Sequence, residues 1–228
     1  MKLFVFELGR IGGRLPIPGY LIKTDDDQNV LVDTGCRAMQ DGFLQADESQ
    51  TIVSQLANLG LQPSDIDLVI LSHFDADHCG NLDAFPGAEI VVQRTALAFA
   101  RSSEEPRFVS TREIWDAPHV RYREVSGDKQ LLPGIELVET GGHVPGHQSV
   151  LVDLPETGTI LLAIDAMPHK HSANPLANRG PQDLDPEAAK TSVRKLNALI
   201  DEKNVRLIIY GHDPEAWQEV HKGPVFYR

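Results

Sequence analysis

Cysteine is scarce: in 228 residues only Cys36 and Cys79 occur. Two thiols make no disulfide framework, so the fold must rest on an apolar core, and both are expected to be reduced. Cys79 follows His78 directly and is a candidate soft ligand, although a small buried residue at a helix start is the commoner role. Long apolar runs are also missing. None approaches the roughly 20 residues that a membrane helix needs, so no membrane partner is expected. Met1 to Glu7 breaks its apolar run with a glutamate and offers no cleavage site, which makes the expected location cytoplasmic. Positive charge is in short supply, with 21 Lys and Arg against 33 Asp and Glu and a formal net charge of -12. A protein that grips a polyanion carries a basic stripe, so nucleic acid is not an expected partner. The remainder, 41% hydrophobic and 24% charged residues, is ordinary for a soluble globular protein. The length suits one domain over 1–228 with a substantial core.

Against that background one stretch stands out, Leu71-Ser72-His73-Phe74-Asp75-Ala76-Asp77-His78-Cys79-Gly80-Asn81. It packs four potential metal ligands, His73, Asp75, Asp77 and His78, into six positions. The apolar run Asp67-Leu-Val-Ile-Leu71 precedes it and helix-compatible residues follow, so it reads as a buried strand, a loop and a helix start. Alternation along an extended loop turns side chains 73, 75 and 77 the same way, and a turn at 77 to 78 brings both neighbours inward. Imidazoles and carboxylates aimed at one point suit divalent zinc, iron or manganese.

Three later segments end apolar strands with further donors. Gly141-Gly142-His143-Val144-Pro145-Gly146-His147 sets two histidines among glycines, Leu161-Leu-Ala-Ile-Asp165 ends in a carboxylate, and Ile208-Ile-Tyr-Gly-His212-Asp213 ends in a histidine. A buried strand that ends in an ionisable group needs a partner for it, and a shared metal pair provides one. The residues by themselves do not choose between His143 and His147. Asp33, in Asp33-Thr34-Gly35, is either a brace behind the metal loop or a turn former.

Between these points the periodicity predicts strands over 2–8, 19–23, 30–33, 67–71, 88–93, 120–125, 130–140, 149–154, 159–164 and 205–210, with helices over 48–59, 95–101 and 184–201. Residues 9–18, with Gly-Gly and two prolines, read as a loop. Residues 102–118 read as a loop or small helix over one face. Phe74, Phe108, Trp115 and Met167 are candidates for an apolar substrate pocket, or else ordinary core.

The ordered set His73-x-Asp75-x-Asp77-His78, His143, Asp165 and His212 resembles the metallo-β-lactamase superfamily. Pro18-Gly-Tyr-Leu-Ile, Leu31-Val-Asp-Thr-Gly35, Gly142-His-Val-Pro-Gly-His-Gln-Ser149, Leu162-Ala-Ile-Asp-Ala166 and Tyr210-Gly-His-Asp213 are similar to its N-acyl homoserine lactonase branch. The resemblance implies an α/β, four-layer αββα sandwich and two divalent metal ions, zinc or else iron or manganese. It assigns His73, Asp75 and His143 to one ion, Asp77, His78 and His212 to the other, and Asp165 to the bridge. His143 is then the ligand and His147 a supporting group. The implied chemistry is hydrolysis of a lactone by a metal-bridging hydroxide, as in quorum quenching, with Asp77 passing a proton to the leaving alkoxide. The expected partners are a small-molecule lactone or ester and, as an allowance, a second copy in a homodimer.

Two positions depart from the lactonase pattern. Asp75 stands where histidine is usual, which adds negative charge and shifts preference towards harder ions. Pro168 stands where those enzymes place a tyrosine against the substrate carbonyl, leaving His169 and His171 as candidate replacements. The competing readings are another ester or thioester hydrolase of the superfamily, a diiron oxidoreductase suggested by the carboxylate at 75, and a non-catalytic metal-binding sensor.

Overall fold

The structure is a computed structural model that describes residues 1–38 and 42–228. Its strands in chain order are β1 (Lys2–Ile11), β2 (Leu15–Lys23), β3 (Asn29–Val32), β4 (Leu44–Gln45), β5 (Leu68–Ile70), β6 (Glu89–Gln93), β7 (Arg121–Val125), β8 (Lys129–Leu132), β9 (Ile135–Glu139), β10 (Gln148–Leu154), β11 (Gly158–Ile164), β12 (Leu207–Tyr210) and β13 (Phe226–Tyr227). The helices are α1 (Ile52–Ala57), α2 (Ala76–Cys79), α3 (Arg94–Ser102), α4 (Pro106–Val109), α5 (Arg112–Trp115) and α6 (Pro186–Glu202). One sheet runs β13-β1-β2-β3-β5-β6-β7 with β4 on β1, and the other runs β12-β11-β10-β9-β8. Strands β3, β5, β6 and β7 are mutually parallel, as are β11 and β12.

Alternation along the strands builds the layers. Leu3 and Val5 of β1 join Val150, Val152, Ile160 and Leu162 of the second sheet in a core between the sheets. Phe4, Phe6 and Leu8 of the same strand point the other way, into a cluster with Ile52 and Leu56 of α1, Leu97 of α3 and Trp115 of α5. On the far side Leu161 and Ala163 pack under Val193 and Leu196 of α6. Helix, sheet, sheet, helix is the resulting order, since each sheet has two apolar faces to bury.

The expected loop at 9–18 is instead most of a hairpin. Strand β1 runs on to Ile11, Gly12 and Gly13 turn with positive φ of 56° and 69°, and β2 begins at Leu15. Prolines 16 and 18 are tolerated because β3 pairs with β2 only from Tyr20 onward, so no ladder on that side asks for their missing N–H groups. The expected helix over 48–59 breaks at Thr51, whose extended backbone separates a 3-10 turn (Glu48–Gln50) from α1 and whose hydroxyl accepts the Ser54 N–H. The expected strand over 130–140 is a hairpin, β8 and β9, folded at Pro133-Gly134. Residues 102–118 hold α4 and α5.

Candidate metal centre

Strand ends in both sheets deliver the donors. His73 to His78 follow β5, His143 lies between β9 and β10, Asp165 follows β11 and His212 follows β12, so all emerge at one edge of the sandwich. All of these side chains are buried. His73, His143 and Asp165 form one cluster of donor atoms, and Asp77, His78 and His212 another, each within 4.8 Å.

Asp165 divides its two oxygens between them. Its Oδ2 lies 3.3 Å from His143 Nε2 and 3.9 Å from His73 Nε2. Its Oδ1 lies 3.0 Å from His212 Nε2 and 3.6 Å from His78 Nε2. Asp77 Oδ2 completes the second group, 3.4 Å from His78 Nε2 and 3.6 Å from His212 Nε2. Ligands held about 2.0–2.2 Å from one tetrahedral ion are separated by about 3.3–3.6 Å, and four of these six gaps fall in that range. His78 Nε2 and Asp165 Oδ1 are buried with no hydrogen-bond partner. Two orphaned buried atoms aimed at a shared space call for an ion.

Every one of these imidazoles has its other nitrogen engaged. His78 Nδ1 donates to Asp33 Oδ2 at 2.8 Å, His143 Nδ1 to Asp183 Oδ1 at 3.2 Å and His212 Nδ1 to the Pro16 carbonyl at 2.8 Å. Ser72 Oγ gives its only proton to Asp33 Oδ2 and so accepts from His73 Nδ1 at 2.9 Å. Asp33 also accepts the Ser72 N–H at 2.8 Å, so one carboxylate, held at a positive φ of 59°, orients both histidines of the loop. His147 is used differently. It accepts the Asp165 N–H at Nε2, 3.2 Å away, and its Nδ1 meets Thr140 Oγ1 at 2.8 Å. It fixes the backbone of Asp165 as a neutral ring, and burial next to His73 and His143 holds its pKa well below the usual value.

The electrostatics follow from crowding carboxylates and imidazoles out of water. Burial alone pushes Asp165 up, but His212, His78 and His143 hold it well below the ordinary carboxylate range. His143, which burial lowers, is pushed up to about 9 by Asp165 and Asp183. His78 and His212 rise for the same reason, next to Asp77 and Asp165. The carboxylates demand positive charge here, and a divalent cation shared by the two groups would supply it.

Asp75 is drawn elsewhere. Its Oδ2 lies 3.1 Å from both His73 Nε2 and His143 Nε2, yet both its oxygens are taken by the Arg107 guanidinium. Burial notwithstanding, His73, His143 and Arg107 keep its carboxyl well below the normal range.

A cavity of about 460 Å³ opens beside the centre. Ile11, Leu15, Phe43, Leu44 and Pro168 give it an apolar wall, and Asp75, Asp77, His143, Asp165 and His212 its polar floor. The aromatic candidates lie elsewhere. Phe74, Phe108, Trp115 and Met167 are at most 1% exposed and none lines the cavity, because they pack under the helices or α6. His169 lines it, stacked on the exposed His171 with ring centroids 5.2 Å apart. Sequence reasoning missed Ser72, Asp183, Pro16 and Arg107. Ser72 adjoins His73 and was open to suspicion; the other three carry no local signal.

A double sheet between helices, with a buried His/Asp centre where the strands end, defines a metallo-hydrolase fold class. The chain belongs to the metallo-beta-lactamase superfamily, whose family model matches residues 12–212. It is similar to an N-acyl homoserine lactonase of Bacillus thuringiensis, 33% identical over 218 residues that span 88% of this chain and 82% of that protein. Among solved structures it is similar to a quorum-quenching N-acyl homoserine lactone lactonase, with a TM-score of 0.88, 29% identity and coverage of 99% and 98% of the two chains. It is also similar to an N-acyl homoserine lactone hydrolase with N-hexanoyl-L-homoserine at its catalytic metal centre, with a TM-score of 0.86, 28% identity and the same coverage.

Proposed function

We propose that this protein is a metal-dependent lactonase that opens N-acyl homoserine lactones or related lactones, a quorum-quenching activity exercised in the cytoplasm. One observation carries the reading: two groups of buried donors flank the two oxygens of Asp165 at the floor of a small-molecule cavity with an apolar wall. The relatives named for the same chemistry support it.

His73 and His143 would hold one divalent cation, Asp77, His78 and His212 the other, with Asp165 between them and zinc the first ion to try. When bound, such a pair supplies Lewis acidity at the scissile carbonyl and a water acidic enough to ionise near neutral pH. The chain's own residues do the rest. The apolar wall of Ile11, Leu15, Phe43 and Leu44 takes an acyl chain and keeps water from the floor. Asp77 directs Oδ2 to His78 and His212, and we assign its other oxygen the relay of a proton from the attacking water to the departing alkoxide. His169 takes the carbonyl contact, since burial beside His171 lowers its pKa and leaves a neutral ring at the cavity wall.

The test pairs zinc content with proton release from acyl homoserine lactones and simple lactones. Asp165→Asn and His143→Ala are expected to lose metal and turnover together, turnover by about a hundredfold or more. His147→Ala, which removes a brace and no donor, is expected to keep more of both. Full activity and metal content in Asp165→Asn would sink the bridging assignment.

A further inference from the structure

Arg107 reaches into one half of the centre and not the other. From α4, its Nε donates to Asp75 Oδ1 at 2.7 Å and its Nη2 to Asp75 Oδ2. Nη1 donates to the Gln182 carbonyl at 3.0 Å, and Nη2 lies 3.0 Å from His143 Nε2. A guanidinium has donors only, and the neutral His143 ring, donating from Nδ1 to Asp183, carries its lone pair on Nε2, so Nη2 is directed at the atom with which His143 would hold a metal. That lone pair serves one partner at a time. A fixed positive charge at this distance also repels a divalent cation. Around Asp77, His78 and His212 no lysine or arginine makes a polar contact among the described residues; their side chains meet one another, Asp165, Asp33 and the Pro16 carbonyl.

We propose that the centre is asymmetric by construction, with Arg107 as a competitor for one of its two cations. The Asp77, His78 and His212 half takes the first cation tightly. The His73 and His143 half is a second, weaker position, filled only when the guanidinium leaves His143. In the one-metal form Asp75 is the anchor of Arg107 and not a ligand, which accounts for a carboxylate where the lactonase pattern has histidine: both oxygens of a carboxylate meet the fork of the half-buried guanidinium, and an imidazole would not hold it. The inference rests on reading these residues as a metal centre, and it is independent of which ester is hydrolysed.

Zinc binding without substrate tests it. The full-length protein is stripped with chelator and dialysed against graded, buffered free zinc, and zinc per chain is counted by mass spectrometry. Two steps are expected, the second needing about tenfold or more free zinc than the first. Arg107→Gln is expected to bring the second step down by about tenfold and leave the first in place, whereas His78→Ala removes the first. If Arg107→Gln does not fold with Asp75 left alone, the double variant Asp75→Asn/Arg107→Gln carries the same expectation without an unpaired buried charge and without a new imidazole ligand. Two equal steps in the unaltered protein, or a second step that neither variant moves, would overturn the proposal and spare the metal centre. Zinc bound by neither half would overturn both.

Discussion

At the scale of single residues, what separates one buried histidine from another is the partner of its second nitrogen. His143 and His147 stand four positions apart in one glycine-rich segment, but Asp183 orients the first towards Asp165 Oδ2 while Thr140 and the Asp165 N–H consume the second. Cysteine follows the same logic of surroundings. Burial, with Asp77 nearby, pushes the Cys36 thiol up to about 11, and burial pushes Cys79 up to about 12. A thiol is a nucleophile only as thiolate, so both should stay inert until the pH approaches those values. Iodoacetamide at pH 8 is therefore expected to label neither cysteine in the native protein and both in denaturant, counted by intact mass. Labelling of Cys79 in the folded protein would contradict its packing.

At the scale of elements, the loop that carries His143 is docked on the start of α6. The Leu184 and Asp185 N–H groups donate to the carbonyls of His143 and Gly142, and Asp185 caps the helix by accepting from the Glu187 and Ala188 N–H groups. Gly142 permits this approach. Its φ is +134° and a Cβ there would fall 2.1 Å from the Ala189 nitrogen. Gly142→Ala should cost about 2–3 kcal/mol of stability, through backbone strain and displacement of the helix. Gly60→Ala, at φ +74° with nothing within 4 Å of the added Cβ, is the matched control and should cost only about 1–2 kcal/mol. Denaturant unfolding of the two variants measures the difference; equal losses would mean the helix yields freely.

At the scale of the whole molecule, the centre ties together segments from Pro16 to His212 and from both sheets. A ligand that binds the folded chain alone stabilises it by mass action, by about 2.7 kcal/mol at a hundredfold excess over Kd, which for this size raises Tm by roughly 5–10 °C. Chelator-stripped protein is thus expected to melt lower and to recover with zinc, by calorimetry at matched pH. A Tm indifferent to both treatments would argue that the donors hold themselves together by protons and hydrogen bonds alone.

Most strands and helices were legible in the sequence because their periods are local: each run of apolar residues states which face it buries, whatever it is later packed against, while the four-layer order came from the resemblance to the superfamily. The candidate donors were visible because His, Asp and their spacing at strand ends are themselves local. Proline misled at 16 and 18, where the missing N–H groups matter only if a neighbouring strand is present to need them, and Thr51 broke a helix that its apolar spacing had promised. Only the tertiary structure decided how Asp165 shares its oxygens, which residues wall the cavity, and that Arg107 reaches both oxygens of Asp75. Those outcomes are contacts between side chains tens of residues apart, and no period or spacing along the chain encodes which distant charge will arrive beside a buried carboxylate.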